Sequence, residues 1–556
     1  MANTAFVIGM DTLGRRARAH LLFAAKDPEK AQHAALMSIV EACRETEQGR
    51  GFGLGQVADV DAFRRAVPIQ TYEDMRPAID RQIASGALEI APEKPIMYAR
   101  SSGTTGSPKY IPVTTRVLKQ LRTAQRAMAF TQHEALRAFS GRLVGLGGAK
   151  SEEILPDGTP AGATTGLIYE TMPRFMRKKY VVPPSIFSVT DYQLKYEVIA
   201  RLAAGADDVT VFATANPSTL LRLMDVANRD LARIVNEVAD GAFAGYSALP
   251  PEVAREIKPL LAPDQRRANE LGRVIASGRP AQIGDLWPKL RAVVTWLGGG
   301  CALAAEAVRK QLPAGARMVD AGYVASEMRG TIVVDIERGL ALPLLSDVFF
   351  EFVPVEVWDR GERQTLLLHE LAEGQDYHVI VSSVAGLLRY HMNDVVRATA
   401  RIGATPTLAF IRKGRGMTNI TGEKLSEDQV HAAMGRLSPK PAFFVVLADA
   451  ALSGYRAYIE SPNGAVVTKS IAVALDDHLS SLNIEYAAKR ASGRLHAVNV
   501  RLLRSGAGEA YHRHCVDVRK QREAQAKVLA LQTVEECDFD FAAFEIADAA
   551  AVTDLH

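Results

Sequence analysis

Ala99-Arg-Ser-Ser-Gly-Thr-Thr-Gly-Ser-Pro-Lys-Tyr-Ile-Pro-Val-Thr-Thr115 is the stretch on which the reading of this chain turns. A short apolar run, Pro95-Ile-Met-Tyr98, leads into it. Five hydroxyl residues (Ser101, Ser102, Thr104, Thr105, Ser107), two glycines (Gly103, Gly106) and Lys109 then fall within nine positions. Such a segment suits a polyphosphate. Glycines let backbone N–H groups turn toward oxygens, hydroxyls donate hydrogen bonds, and a lysine adds a point charge. A solvated turn would use the same residues, but Pro108 and Pro112 around Lys109 favour a fixed geometry. No Gly-Lys-Ser/Thr closes the segment, so it is not a Walker A loop.

Outward from this stretch, the 556 residues suffice for several domains and a large core. Hydrophobic residues make up 48% and charged residues 23%, as in ordinary globular proteins. A net charge of +3 gives no reason to expect nucleic acid or an anionic membrane as partner. Cys43, Cys301, Cys515 and Cys537 are scattered, without a Cys-x-x-Cys. They point to a reducing compartment and away from a disulfide frame or structural zinc. Ala5 to Met10 is too short for a signal core, and no apolar run approaches a membrane span. The expectation is a cytoplasmic protein, with its oligomeric state left open.

Asp27-Pro28-Glu29 reads as a helix start, and Cys43 falls on the apolar face that follows. Thr71-Tyr-Glu-Asp74 reads as a capping box. Thr114 to Arg137 predicts a long helix, and residues 148 to 186 an irregular segment over a pocket. Strands are predicted at Arg142 to Gly148, Val209 to Ala213, Ala292 to Leu297, Arg317 to Asp320 and Thr331 to Asp335. Alternation with helices makes the first ~400 residues α/β, with ligands expected at the carboxyl ends of strands. From Leu340 to Ile411 the pattern is mostly strand, a barrel or second sheet, with runs at Leu344 to Val355, Thr365 to His369, Tyr377 to Ser382 and Val395 to Ala398. Arg412-Lys-Gly-Arg-Gly416 punctuates the chain, and a small α+β domain is expected beyond it. Tyr511-His-Arg-His-Cys515 is a weak metal pattern, since its residues do not converge on one helix face.

Four separated motifs stand in order: Ser101 to Lys109, Tyr323-Val-Ala-Ser-Glu327, Arg389-Tyr-His-Met-Asn-Asp394, and Gly414-Arg-Gly416 with Gly422-Glu-Lys-Leu-Ser-Glu427. Their order resembles the adenylate-forming ligases, and within these the acyl acid amido synthetases of the auxin- and jasmonate-conjugating type and their bacterial relatives. Val67-Pro-Ile-Gln-Thr-Tyr-Glu-Asp74, Leu482-Asn-Ile-Glu-Tyr486 and Gln525-Ala-Lys527 are also similar to that family. The likeness spans roughly residues 15 to 530.

The resemblance implies a large N-terminal adenylation domain (residues 1–413, β-sheets with flanking helices plus a barrel-like β subdomain). It further implies a hinge at 414–416 and a small mobile α+β domain at 417–556. It implies ATP and Mg²⁺ as cofactors, with a small carboxylic acid and an amine, preferably an amino acid, as substrates. Ser101, Ser102, Gly103, Thr104, Thr105 and Gly106 would hold the β- and γ-phosphates, with Lys109 adding charge or sitting solvated at the rim. Glu327 would ligate Mg²⁺, Tyr323 would stack on adenine, and Asp394 would accept the ribose hydroxyls. Gly298 and Gly299 would let adenine or the acyl group lie against backbone, and Ser326 would join the nucleotide site. Arg415 and Lys527 would reach the phosphate from the small domain. Asn393 stands where the common form of the third motif has glycine, which leaves the local turn open. Two other readings remain: transfer of the acyl group to a thiol (coenzyme A or a carrier protein), and a non-catalytic nucleotide-binding protein on the same fold.

Overall fold

The computed structural model describes residues 9–101, 108–298, 301–414, 416–460, 468–517 and 530–546. Two compact units divide the chain: the described residues of Met1–Ser101 with Lys109–Arg412, and those of Lys413–His556.

In the first unit, helix α1 (Pro28–Cys43) is capped by Asp27, whose carboxylate accepts the Lys30 N–H at 3.1 Å. Cys43 lies fully buried on its inner face, and burial pushes the thiol up to about 12, so it is a core residue rather than a reactive one. Helix α2 (Tyr72–Ser85) opens on the expected Thr71/Asp74 capping box. Strands β1 (Met97–Ser101) and β2 (Lys109–Val113) then pair antiparallel, with Ser101 opposite Lys109. The ladder thus holds in register Ser101 and Lys109, the first and last residues of the phosphate-binding motif.

Thr114 caps helix α3 (Thr115–Leu136) through the Val117 N–H, and the helix ends at Arg137 in a left-handed conformation (φ +54°). Strands β3 (Arg142–Gly145), β4 (Val209–Ala213), β5 (Ala292–Thr295) and β6 (Arg317–Asp320) form a parallel sheet in that order. The near-continuous apolar runs of the central strands β4 and β5 suit a sheet covered on both faces. Residues 148–186 are more ordered than expected. Pro160–Gly162 pairs parallel with β1, Tyr98 facing Ala161, and Thr164–Glu170 is helical.

A loop, 321–330, joins β6 to β7 (Thr331–Asp335), which pairs antiparallel with β8 (Leu340–Pro343). The strand predicted over Leu344 to Val355 forms from Val348 to Pro354 and starts four residues later than expected. Asp347 and Val348 N–H groups both return to the Leu344 carbonyl, making a tight turn before β9 (Val348–Pro354). Next come β10 (Leu366–Leu367), β11 (Asp376–Ser383), β12 (Tyr390–Ile402) and β13 (Thr405–Lys413), arranged β10-β9-β11-β12-β13. This is the second sheet that the sequence left as sheet or barrel. One core joins the inner faces of β1, β2, β9, β11 and β12 to α2 and α3.

In the second unit β14 (Phe443–Asp449), β15 (Gly454–Glu460), β16 (Asn499–Leu503) and β17 (Leu531–Thr533) form a sheet in the order β16-β15-β14-β17. Helices Glu427–Gly435, Thr468–Leu482 and Ile484–Ala491 contribute to the core packed with it.

Candidate active site

Lys109, the last residue of the first motif, comes together with the second and third motifs within the first unit. Loop 321–330 is drawn tight by its own backbone. The Tyr323 carbonyl accepts the Gly330 N–H at 2.8 Å, the Tyr323 N–H donates to Thr331 Oγ1 at 2.8 Å, and the Ala325 N–H donates to the Met328 carbonyl at 2.9 Å. Ser326 and Glu327 form the two-residue tip, both half-buried. Gly322 makes the entry turn with φ +79°, and a Cβ there would lie 2.9 Å from the Thr331 carbonyl oxygen, so only glycine fits.

Glu327 faces β12. The Tyr390 hydroxyl donates to Glu327 Oε1 at 3.4 Å, and Lys109 Nζ approaches the same hydroxyl at 3.5 Å. Burial first, and then the Glu327 carboxylate, hold the Tyr390 hydroxyl well above the ordinary phenol range, so it stays a donor. Lys109, Tyr390 and Glu327 therefore form a chain of donors ending on a carboxylate. The ring of Tyr72 supports Lys109, with Nζ 5.3 Å from its centroid, and the Tyr72 hydroxyl is fixed by the Tyr110 N–H at 2.7 Å. Lys109 is half-buried and joins this network instead of standing in solvent at a rim.

Asp394 is 1% exposed, and its Oδ2 accepts the Tyr323 hydroxyl at 2.6 Å. The Tyr323 ring is 4% exposed and stacks on Phe410 of β13, centroids 6.0 Å apart. Tyr323 thus orients Asp394 and packs against its neighbours, two tasks that its position in the sequence did not announce. A Cβ on Gly298 would lie 3.1 Å from the Phe410 carbonyl oxygen, so Gly298 comes close to the same strand. Asn393 takes φ +49°, a left-handed conformation that asparagine tolerates, so the turn before Asp394 forms without glycine.

Arg389 also takes a positive φ (+46°) and turns inward. Its Nε donates to Glu351 Oε2 at 2.9 Å and its Nη1 to the Val67 carbonyl at 2.8 Å. Arg64 Nε and Thr365 Oγ1 also donate to Glu351 Oε1, at 3.0 and 2.6 Å. This buried acid with two arginines ties the segment before α2 to the strand that carries Tyr390 and Asp394. Glu351, Tyr72, Tyr390, Thr331 and Phe410 escaped the sequence reading. Only Tyr390, inside its motif, and Tyr72, inside the capping box, belonged to motifs already quoted.

Ser101 ends β1. Ser102, Gly103, Thr104, Thr105 and Gly106, together with Gly299, Arg415 and Lys527, lie outside the described residues. In the second unit Gly416 has φ +73° and its carbonyl accepts the Glu427 N–H at 2.8 Å. Glu423 is buried, accepting the Ile420 and Thr421 N–H groups at 2.7 and 2.8 Å and the Tyr455 hydroxyl. The fourth motif is therefore locally anchored by its own acid. His514 Nε2 pairs with Asp538 at 3.0 Å, and the described residues hold no group of three or more His, Cys, Asp or Glu able to bind a metal.

A parallel sheet, a second largely antiparallel sheet and a small α+β unit, with an acid-and-tyrosine site carried by the first unit, define an adenylate-forming ligase fold. The chain superposes on the acyl acid amido synthetase AtGH3.15 in complex with 2,4-DB with a TM-score of 0.66 at 20% identity, over 96% of each chain. Its sequence matches the GH3 family N-terminal domain over residues 17–314, the central domain over 341–413 and the C-terminal domain over 428–536. The protein belongs to the GH3 family. Jasmonoyl–L-amino acid synthetase JAR4 of Nicotiana attenuata is 25% identical over 435 residues, 74% of this chain and 73% of the relative. Indole-3-acetic acid-amido synthetase GH3.2 of Arabidopsis thaliana is 23% identical over 439 residues, 74% of this chain and 79% of the relative. Among the described residues no helix is long and apolar enough to cross a membrane.

Proposed function

We propose that this GH3 protein is an ATP-dependent ligase that joins a small carboxylic acid to an amine, with an amino acid as the preferred acceptor. The observation that carries the reading is the convergence of Lys109, Tyr390 and Glu327, with Tyr323 and Asp394, in one unit of a GH3 chain. In the first half-reaction a carboxylate oxygen attacks the α-phosphorus of ATP, the α–β phosphoanhydride bond breaks, and pyrophosphate leaves. In the second, the amine nitrogen attacks the acyl carbon, loses a proton, and AMP departs.

This chain's residues would divide that work between charge and orientation. The segment from Ser101 to Gly106 would bind the departing phosphates, and Lys109 would offset their charge. Glu327 offers a hard carboxylate oxygen, which fits Mg²⁺ when substrate phosphates and water supply the remaining ligands; the ion would neutralise phosphate charge. Asp394, held by Tyr323, would accept the ribose hydroxyls, with Gly298, Gly299 and Ser326 lining the nucleotide. Arg415 and Lys527 would approach from a C-terminal domain that turns about Gly414–Gly416 between the half-reactions.

Acid-dependent exchange of labelled pyrophosphate into ATP tests the first half-reaction. Adding amino acids should then yield amide and stoichiometric AMP. A thioester formed with coenzyme A and no amide would replace this acceptor, and absence of exchange with a broad panel of acids would remove the ligase reading.

A further inference from the structure

The buried arginines of the described residues each have a carboxylate. Arg267 meets Glu270 at 3.1 Å, Arg389 meets Glu351 at 2.9 Å, and Arg201 meets Glu237 at 4.0 Å. Arg329, two residues beyond Glu327, has none. Its Nη2 donates to the Ala321 carbonyl and to Met128 Sδ, both at 2.9 Å, and thioether sulfur is a weak acceptor. Its Nε is fully enclosed and has no hydrogen-bond partner among the described residues. Asp320 lies one residue from Ala321, but its Oδ1 accepts the Gly322 N–H instead.

A buried cation without an anion is costly, and a guanidinium cannot escape that cost by neutralising at neutral pH. Its place is specific. Ala321 follows the carboxyl end of β6, where open α/β sheets bind ligands, and Met128 lies on α3 opposite. Arg329 as a whole is half-buried. A ligand carboxylate would supply both the missing charge and an acceptor.

We propose that Arg329 is a substrate-recognition residue whose guanidinium receives a second anionic group of the acid, remote from the reacting carboxylate. The acids favoured by this chain are then dicarboxylates or comparably charged acids. The inference rests on the ligase reading for its substrate, while the anion site itself does not.

Matched pairs separate the two: adipate against hexanoate, and isophthalate against benzoate, with the full-length wild type and Arg329→Met. Melting temperature needs no catalysis. The diacid of at least one pair should raise it by several degrees more than its monoacid in the wild type, and the difference should vanish in Arg329→Met. Without ligand, Arg329→Met should melt at or above the wild type, because an uncompensated buried charge is gone. In the pyrophosphate exchange assay the diacid should be preferred at least tenfold in kcat/KM, a preference the variant loses. Equal melting shifts within both pairs, or a diacid response intact in the variant, overturns the proposal. So does an equal loss of exchange for both members of a pair, which would place the guanidinium on the reacting carboxylate. A diacid-specific shift lost in the variant, with no exchange for any acid, would sustain the anion site and remove the ligase reading.

Discussion

At Glu327 one carboxylate stands at the tip of a tight loop, held from one side by a phenol that burial keeps protonated. Glu327→Gln preserves shape and hydrogen bonding while removing the charge. Pyrophosphate exchange should fall at least about a hundredfold, the scale of losing a main electrostatic contact in a site. Wild-type rates at saturating Mg²⁺ would make the acid structural. Asp347 is a second buried acid with a different fate. It sits in the turn before β9, and burial pushes its carboxyl up to about 6 against a lesser opposing hydrogen bond from Gln120 and the charges of His20 and Arg116. A folded-state pKa above the unfolded one means that the native protein binds the extra proton, so stability is lost as pH rises from about 4 to about 6. Asp347→Asn abolishes that loss. It should melt higher than the wild type at pH 7, with the advantage shrinking as pH falls toward 4. An unchanged difference across that range would mean that Asp347 titrates normally.

Among the elements, local signals marked those that carry their own instructions. Thr71/Asp74 set the start of α2, Asp27 and Pro28 that of α1, and near-continuous apolar runs marked β4 and β5. Elements that depend on distant partners were harder to read. The turn at Leu344–Asp347 looked like strand because Leu344 and Leu345 lie close before the apolar run of β9. Pro160–Gly162 looked irregular because its strand character comes from pairing with β1, some sixty residues earlier. The same division runs through the site. Glu327 and Asp394 were visible inside motifs, whereas Glu351 was one acid in an apolar strand, and its role arises only where Arg64 and Arg389 meet it. Removing its charge tests that role. Glu351→Gln leaves two arginines without their counter-charge, a change that in buried pairs costs about 3 kcal/mol or more. The urea midpoint of the larger unit should fall, and activity should fall with it, since Arg389 directly precedes Tyr390. An unchanged midpoint would mean that the buried pair contributes nothing to holding β12.

For the whole molecule the two half-reactions give two separate readouts. Adenylation needs only the acid and ATP, whereas amide formation also needs the acceptor. The change in compactness at Arg412/Lys413 falls beside Gly414 and Gly416, and Gly416 has φ +73°. Proline locks φ near −65° and lacks the N–H, so Gly416→Pro is incompatible with that conformation and stiffens the connection. The chain on either side has its own core, one built around β1, β9, β11 and β12, the other around β14 and β15, so each unit should remain folded. If the C-terminal unit turns about this connection between half-reactions, the variant should retain much of its acid-dependent exchange and lose mainly amide formation. The ratio of exchange rate to amide rate is therefore the quantity to measure, because a general loss of fold lowers both terms together and leaves it unchanged. A folded variant in which both half-reactions fall alike, or neither does, would place the moving joint elsewhere than residues 414–416.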